Sequence, residues 1–256
     1  MRHRIMKFAF LLTIGSTVLL AGPFQNGGFE SPVINTGSGP DFTTVPTGWT
    51  KFDPSCGAAN CAGNGLFMQT YSMFGLPATG GQGNQAFGFG GSGVTTGSVL
   101  QTFDTVNGAG YHVSFQYVIQ QGGGFEDLVG EALDGAVSAI GSNSAGCTVG
   151  SGGCLANSGR VQFNNTAWVT RTLDFTATST STTLRFSDFS GVLDPGSHSS
   201  TNWALDAVSV TQTSGGPGPG VPEPSTFTLM SLALAALGWR WRTVQGSGVA
   251  RRASPR

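Results

Sequence analysis

Charge is scarce in this sequence: only 10% of its 256 residues are Asp, Glu, Lys or Arg, and there are three histidines and four cysteines. The shortage is uneven. Between residues 22 and 220 the basic residues are Lys51, Arg160, Arg171 and Arg185, four against twelve acidic ones, a net of minus eight. That balance excludes nucleic acid as a partner, because binding a phosphate backbone needs clustered Lys and Arg. A sparsely charged acidic body suits an extracellular surface able to hold divalent cations. Helical periodicity is nearly absent from the same region, and long hydrophobic runs are missing everywhere. The longest apolar stretch, residues 226–239, is about 14 residues against the roughly 20 that an unaided helical span needs. No G-x-S-x-G elbow accompanies the many serines. The G-x-G-x-x-G at 88–93 runs into a strand pattern, so no helix N-terminus is available to receive a pyrophosphate.

Both ends carry addresses. Arg2, Arg4 and Lys7 precede an apolar run at 8–20, and Ala21 offers a small residue at the cut, so residues 1–21 read as a secretory signal peptide. At the other end, Pro222-Glu223-Pro224 stands before the apolar run 226–239, which closes on Arg240, Trp241 and Arg242. This order closely resembles the PEP-CTERM sorting domain, the tripartite signal by which some Gram-negative bacteria with exopolysaccharide-rich surfaces hand secreted proteins to an exosortase. The resemblance implies passage through the inner membrane during processing and a final place at the cell surface or in the extracellular matrix. Pro222, Glu223, Pro224, Arg240 and Arg242 are its sorting residues, and a plain membrane anchor is the alternative. Family members usually stop soon after the basic cluster; here residues 243–256 follow as a basic tail. The same signal also goes under an ice-binding-protein label.

Residues 22–213 then form one domain, followed by a Gly/Pro linker at 214–220. Its cysteines fall into two local pairs, Cys56 with Cys61 and Cys147 with Cys154, embedded in Gly, Ala, Ser and Asn. In an oxidising compartment such pairs are expected to be disulfide staples. The rival reading, zinc, lacks both the usual spacings and a nearby histidine.

Short runs rich in Val, Phe, Thr and Tyr, punctuated by Gly, Ser and Asn, predict about eleven strands: 25–30, 49–52, 66–71, 85–89, 98–103, 111–119, 128–140, 160–163, 168–177, 182–189 and 203–211. The fold class expected is all-β, a two-sheet antiparallel β-sandwich (jelly roll) with its first and last strands adjacent, flanked by an N-terminal signal helix and a C-terminal hydrophobic sorting helix that enters the membrane at 226–239. The alternation of Tyr111, Val113, Phe115, Tyr117 and Ile119 marks one core face.

The segments 26–32 (NGGFESP), 46–49 (PTGW), 101–103, 110–115, 168–177 and 205–210, in that order, resemble galactose-binding-like jelly rolls, a group that includes many carbohydrate-binding modules. In such domains a glutamate of the first strand and an aspartate of the closing strand hold a structural calcium, and the matching residues are Glu30 and Asp206. Two carboxylates plus backbone carbonyls would meet the six to eight oxygens calcium takes. Edge carboxylates in water are the alternative explanation of the pair.

A sugar ligand would need an exposed aromatic face. Trp49 and Trp168 are the candidate ligand-binding residues, since each begins a strand beside loop residues, Gly48 and 164–166. No catalytic residue is assigned: Glu126, Asp127, Glu131 and Asp134 contain possible carboxylate pairs for glycoside hydrolysis, but solvated strand ends account for them. The reading is a non-catalytic secreted surface protein, sorted by an exosortase and associated with extracellular polysaccharide. A glycan-active hydrolase, or an ice-binding or matrix structural protein with a threonine face at Thr176, Thr178, Thr180, Thr182 and Thr183, are the alternatives.

Overall fold

The computed structural model describes residues 21–34, 39–53, 56, 58–90, 97–121, 125–137, 146–190 and 202–215. Residues 1–20 of the predicted signal peptide, the sorting residues Pro222, Glu223, Pro224, Arg240 and Arg242, the apolar run 226–239 and the basic tail lie outside the described residues. Among those described, no helix is long and apolar enough to cross a membrane.

Eleven strands follow one another: β1 (Thr50–Phe52), β2 (Leu66–Thr70), β3 (Gln85–Phe89), β4 (Gly97–Asp104), β5 (Gly110–Gln121), β6 (Glu126–Asp134), β7 (Cys154–Asn157), β8 (Val161–Phe163), β9 (Val169–Thr176), β10 (Ser181–Asp188) and β11 (Asn202–Gln212). They make two antiparallel sheets. One has the order β2-β3-β11-β5-β9; the other runs β1-β4-β10-β6-β7, with β8 also paired to β6. Chain neighbours such as β4 and β5 sit in different sheets, so the chain winds back and forth across the sandwich as a jelly roll.

The packing follows from side-chain alternation on a strand. In β5, Tyr111, Val113, Phe115, Tyr117 and Ile119 all enter the main core, with Phe115 edge-on to Phe186 of the facing sheet at a ring-centroid distance of 4.8 Å. Trp203 of β11 is fully buried and stacks on Phe89 at 4.0 Å. The opposite face of the first sheet is apolar at its middle, where Ala86, Val118 and Ala204 form a second, smaller cluster with Leu76. Leu76 belongs to the long β2–β3 connection, which folds back over the sheet and explains why Val118, on the outer face, is buried.

Two predicted elements differ, and one strand was not predicted. Residues 25–30 form no ladder strand: Asn26 and Phe29 adopt left-handed backbone, φ 53° and 54°, and the Phe29 N–H turns back to the Asn26 carbonyl at 3.1 Å. The segment still reaches the last strand. A register shift between Asp206 and Ser209 bulges β11, with Ala207 at φ 49°, and the Val208 N–H donates to the Gly27 carbonyl at 2.9 Å. Strand β6 ends at Asp134, short of residue 140, because Gly135 turns with φ 67°. β7 was not foreseen; its four residues, CLAN, carry too short a pattern to register.

Both predicted disulfides are formed, Cys56–Cys61 and Cys147–Cys154, with Cα–Cα distances of 6.3 and 5.7 Å. The second closes the turn into β7.

Candidate functional site

Glu30 and Asp206 converge on one glycine-rich loop, residues 80–85 of the β2–β3 connection. Glu30 Oε1 accepts the N–H groups of Asn84 and Gln85, both at 2.7 Å. Asp206 Oδ2 accepts the Gln82 N–H at 2.8 Å and the Tyr71 hydroxyl, while its Oδ1 accepts the Ala207 N–H at 2.6 Å. Gln116 of β5 adds a third anchor, its side-chain oxygen accepting the Gly81 N–H at 2.6 Å. The loop approaches so closely that only glycine fits: a Cβ on Gly81 would lie 1.8 Å from the Tyr71 hydroxyl oxygen, and one on Gly83 would lie 2.4 Å from the Glu30 carboxyl carbon.

The electrostatics follow from burial. Asp206 is fully buried, which pushes its carboxyl up to about 7 against the hydrogen bonds from Tyr71, Gln82 and Ala207, and the charge of Glu30 adds to the rise. Burial and the bond to Asp206 hold the Tyr71 phenol far above its ordinary value. Among the described residues no three His, Cys, Asp or Glu side chains cluster as a metal site. Among the described residues Glu30 Oε2 accepts no hydrogen bond, whereas both oxygens of Asp206 are engaged by Tyr71, Gln82 and Ala207.

The aromatic candidates separate. Trp49 belongs to the core: it is 4% exposed, packs against Phe24, Phe29 and Phe186, and donates its indole N–H to the Asn26 carbonyl. The expectation that it presents a face to a sugar is therefore wrong, because Gly48 turns the chain inward just before β1. Trp168 is half-buried on the outer side, 5.8 Å from Tyr71 between ring centroids, with its N–H on the Pro77 carbonyl at 3.1 Å and Gly80 against its ring. Its role is to pin the folded-back connection.

Beside this clamp lies a cleft of about 700 Å³. Val33, Ile34, Leu76 and Tyr71 give it apolar walls; Glu30, Ser72, Asn84 and Gln85 give it polar ones. The loop at 80–85 was missed in the sequence, although the cluster Gly80-Gly81-Gln82-Gly83 was the available signal.

The remaining sequence candidates take structural roles. Asp127 forms a bidentate pair with Arg160 at 2.6 and 2.9 Å, and Glu131 bonds Arg185 at 2.6 Å. These carboxylates and Glu126 are buried, not solvated at strand ends as expected. His112 Nδ1 meets Asp174 Oδ1 at 2.7 Å on the exposed face of β5 and β9, but among the described residues no hydroxyl completes a triad. The threonines make no common face: Thr176, Thr178 and Thr180 are exposed, while Thr182 and Thr183 are buried.

Residues 220–242 match the PEP-CTERM protein-sorting motif. No curated protein matches the chain. Among solved structures the chain is similar to the carbohydrate-binding module TmCBM61 in complex with β-1,4-galactotriose, at 12% identity and TM-score 0.45, covering 75% of this chain and 99% of that one. It is similar also to the CBM22-1 xylan-binding domain from Paenibacillus barcinonensis, at 12% identity and TM-score 0.39, covering 68% and 92% of the two chains. The K2 cleaved adhesin domain of Lys-gingipain shows 17% identity and TM-score 0.40, covering 72% and 96%. The body is thus an all-β jelly roll, defined by its own strand order, and it carries a C-terminal sorting motif.

Proposed function

We propose that the protein is exported, sorted to the cell surface by an exosortase, and associates there with extracellular polysaccharide without turning it over. The observation that carries the reading is the sorting motif at 220–242 at the end of a jelly-roll body. The cleft beside Tyr71 supplies a means of association. Its half-exposed ring and the Val33, Ile34 and Leu76 side chains can take the C–H face of a pyranose, while Glu30, Asn84 and Gln85 accept and donate to hydroxyls. A structural calcium held by Glu30 and Asp206 would fix the loop that forms one wall.

Asp127 and Glu131 do not favour hydrolysis, since each is committed to an arginine. The test is binding to an array of bacterial exopolysaccharides with product analysis. Retention that falls at least tenfold in Tyr71→Ala, with no reducing ends released, is expected. Release of sugar by the wild type would replace the reading with an enzymatic one.

A further inference from the structure

We infer that a second cleft, at the opposite edge of the Tyr71 sheet, binds neutral polysaccharide, so that one molecule bridges two chains; this rests on the polysaccharide association proposed above. The cleft holds about 650 Å³ between the edges of β7 and β9. Its floor is Tyr111 and Phe175, stacked at 5.1 Å with planes 13° apart. One wall is the turn closed by Cys147–Cys154, which presents Leu155 and Val149. Val149 is 60% exposed, one of few large apolar side chains among the described residues left in water. The facing rim is polar, made by Asp174 and Thr176 at the end of β9.

That combination selects a chemistry. Apolar surface on one side and acceptors on the other match a pyranose, which shows C–H groups on its faces and hydroxyls at its edge. Among the described residues Asp174 is the only ionisable side chain lining the cleft apart from the Tyr111 phenol, whose oxygen accepts the Val106 N–H at 2.8 Å. The Asp174 side chain is 74% exposed and fixed through Oδ1 by His112, while its other oxygen accepts no hydrogen bond among the described residues and is open to a donor. With a carboxylate and, among the described residues, no Lys or Arg in the lining, uronate and sulfate polymers are repelled and neutral chains admitted. β3, β11 and β5 separate β2 from β9, so the two clefts stand roughly 19 Å apart at about 4.8 Å per strand. They lie at opposite edges of the sheet and engage separate chains.

The experiment titrates the full chain with cellohexaose, xylohexaose and β-1,4-galactohexaose in turn, with hexagalacturonate as the anionic control. Val149→Asp is placed at an exposed position that the fold does not need, and Val149→Ile serves as its conservative partner. Two equivalents of at least one neutral hexasaccharide are expected for the wild type and for Val149→Ile, one for Val149→Asp, one for Tyr71→Ala and none for the double variant. A single equivalent lost in Tyr71→Ala and untouched by Val149→Asp overturns the second cleft and leaves the proposed function standing. A single equivalent with the reverse pattern overturns the bridging and moves the proposed site to this cleft. Hexagalacturonate bound as tightly as the neutral sugars overturns the selectivity, and no saturable binding to any neutral probe overturns both readings.

Discussion

Glu30 and Asp206 grip the same loop: the first accepts the N–H groups of Asn84 and Gln85, the second that of Gln82. One carboxylate comes from the start of the body and the other from its last strand, so whatever strengthens the grip ties the two ends of the domain together. A calcium ion between them would bind the folded state alone. At a hundred times its dissociation constant it would add about 2.7 kcal/mol, which for a body of this size raises Tm by roughly 5–10 °C. Thermal unfolding in calcium against chelator measures this. The increment should vanish in Asp206→Ala, and an equal Tm in both buffers for the wild type would rule the ion out.

The glycines of the loop make a second, independent test. Gly75 and Gly81 both have positive φ, 63° and 70°, so alanine at either costs about 1–2 kcal/mol of backbone strain. At Gly75 the added Cβ meets nothing within 4 Å; at Gly81 it collides with Tyr71 and Asp206. Gly81→Ala should therefore destabilise the body by at least about 2 kcal/mol more than Gly75→Ala in denaturant titrations. It should also weaken glycan retention, since it displaces Tyr71. Equal losses in the two variants would show that the loop is not tightly seated.

Much of this architecture was legible because it rests on local pattern. Strand β3 falls on the residues where alternation placed it, and β5 differs only at its ends. The cysteine pairs were readable for the same reason, since each closes over a few small residues. Glu30 and Asp206 came together through a resemblance, not through spacing. What failed was everything decided by long-range coverage. Trp49 looked loop-exposed until Phe24, Phe29 and Phe186 closed around it. Val118 sat on a polar face until the connection bearing Leu76 folded over it. The acidic surplus looked like surface, yet Asp53, Glu126, Asp127, Glu131, Asp188 and Asp206 are buried, and Lys51 with them. Nothing in a short window states which face another loop will cover.

Asp188 turns that burial into a pH dependence. Its Oδ1 accepts the Ser190 N–H at 3.0 Å and the Ser190 hydroxyl. Burial pushes the carboxyl up to about 7 against the hydrogen bonds from Ser190 and the approach of the Trp203 indole, and the charge of Asp127 adds to the rise. In the unfolded chain the group ionises near its ordinary value of 3.8. Between those values the folded state holds the extra proton, so stability is greatest on the acid side and falls as pH rises toward 7. The loss is on the order of a few kcal/mol. Asp206 titrates in the same window, so in chelator Asp188→Asn should remove about half of the slope measured by urea unfolding at pH 5 and 7.5. An unchanged slope would mean that Asp188 ionises normally.

The last expectation concerns the fate of the C-terminal end. Strand β11 stops at Gln212, and residues 211–215 are exposed, with the Ser214 hydroxyl oxygen accepting the Gly110 N–H at 2.8 Å. The chain therefore leaves the sandwich at its surface, and the sequence that follows alternates glycine and proline, a composition that disfavours both helix and ladder. Pro222-Glu223-Pro224 comes next, inside the matched sorting motif, and prolines at both outer positions disfavour helix in such a sequence. Beyond it the apolar run is short for an unaided span, and the arginines that close it favour the cytoplasmic side. Under the proposed function such a segment would hold the protein at the inner membrane only until an exosortase acts. Mass spectrometry of the protein recovered from the cell surface should show a chain ending close to Val221 and lacking residues 226–256. A mature chain that still contains Trp239 and Arg240 would mean simple anchoring and would remove exosortase processing from the proposed function. The jelly-roll body and its two clefts would stand unchanged.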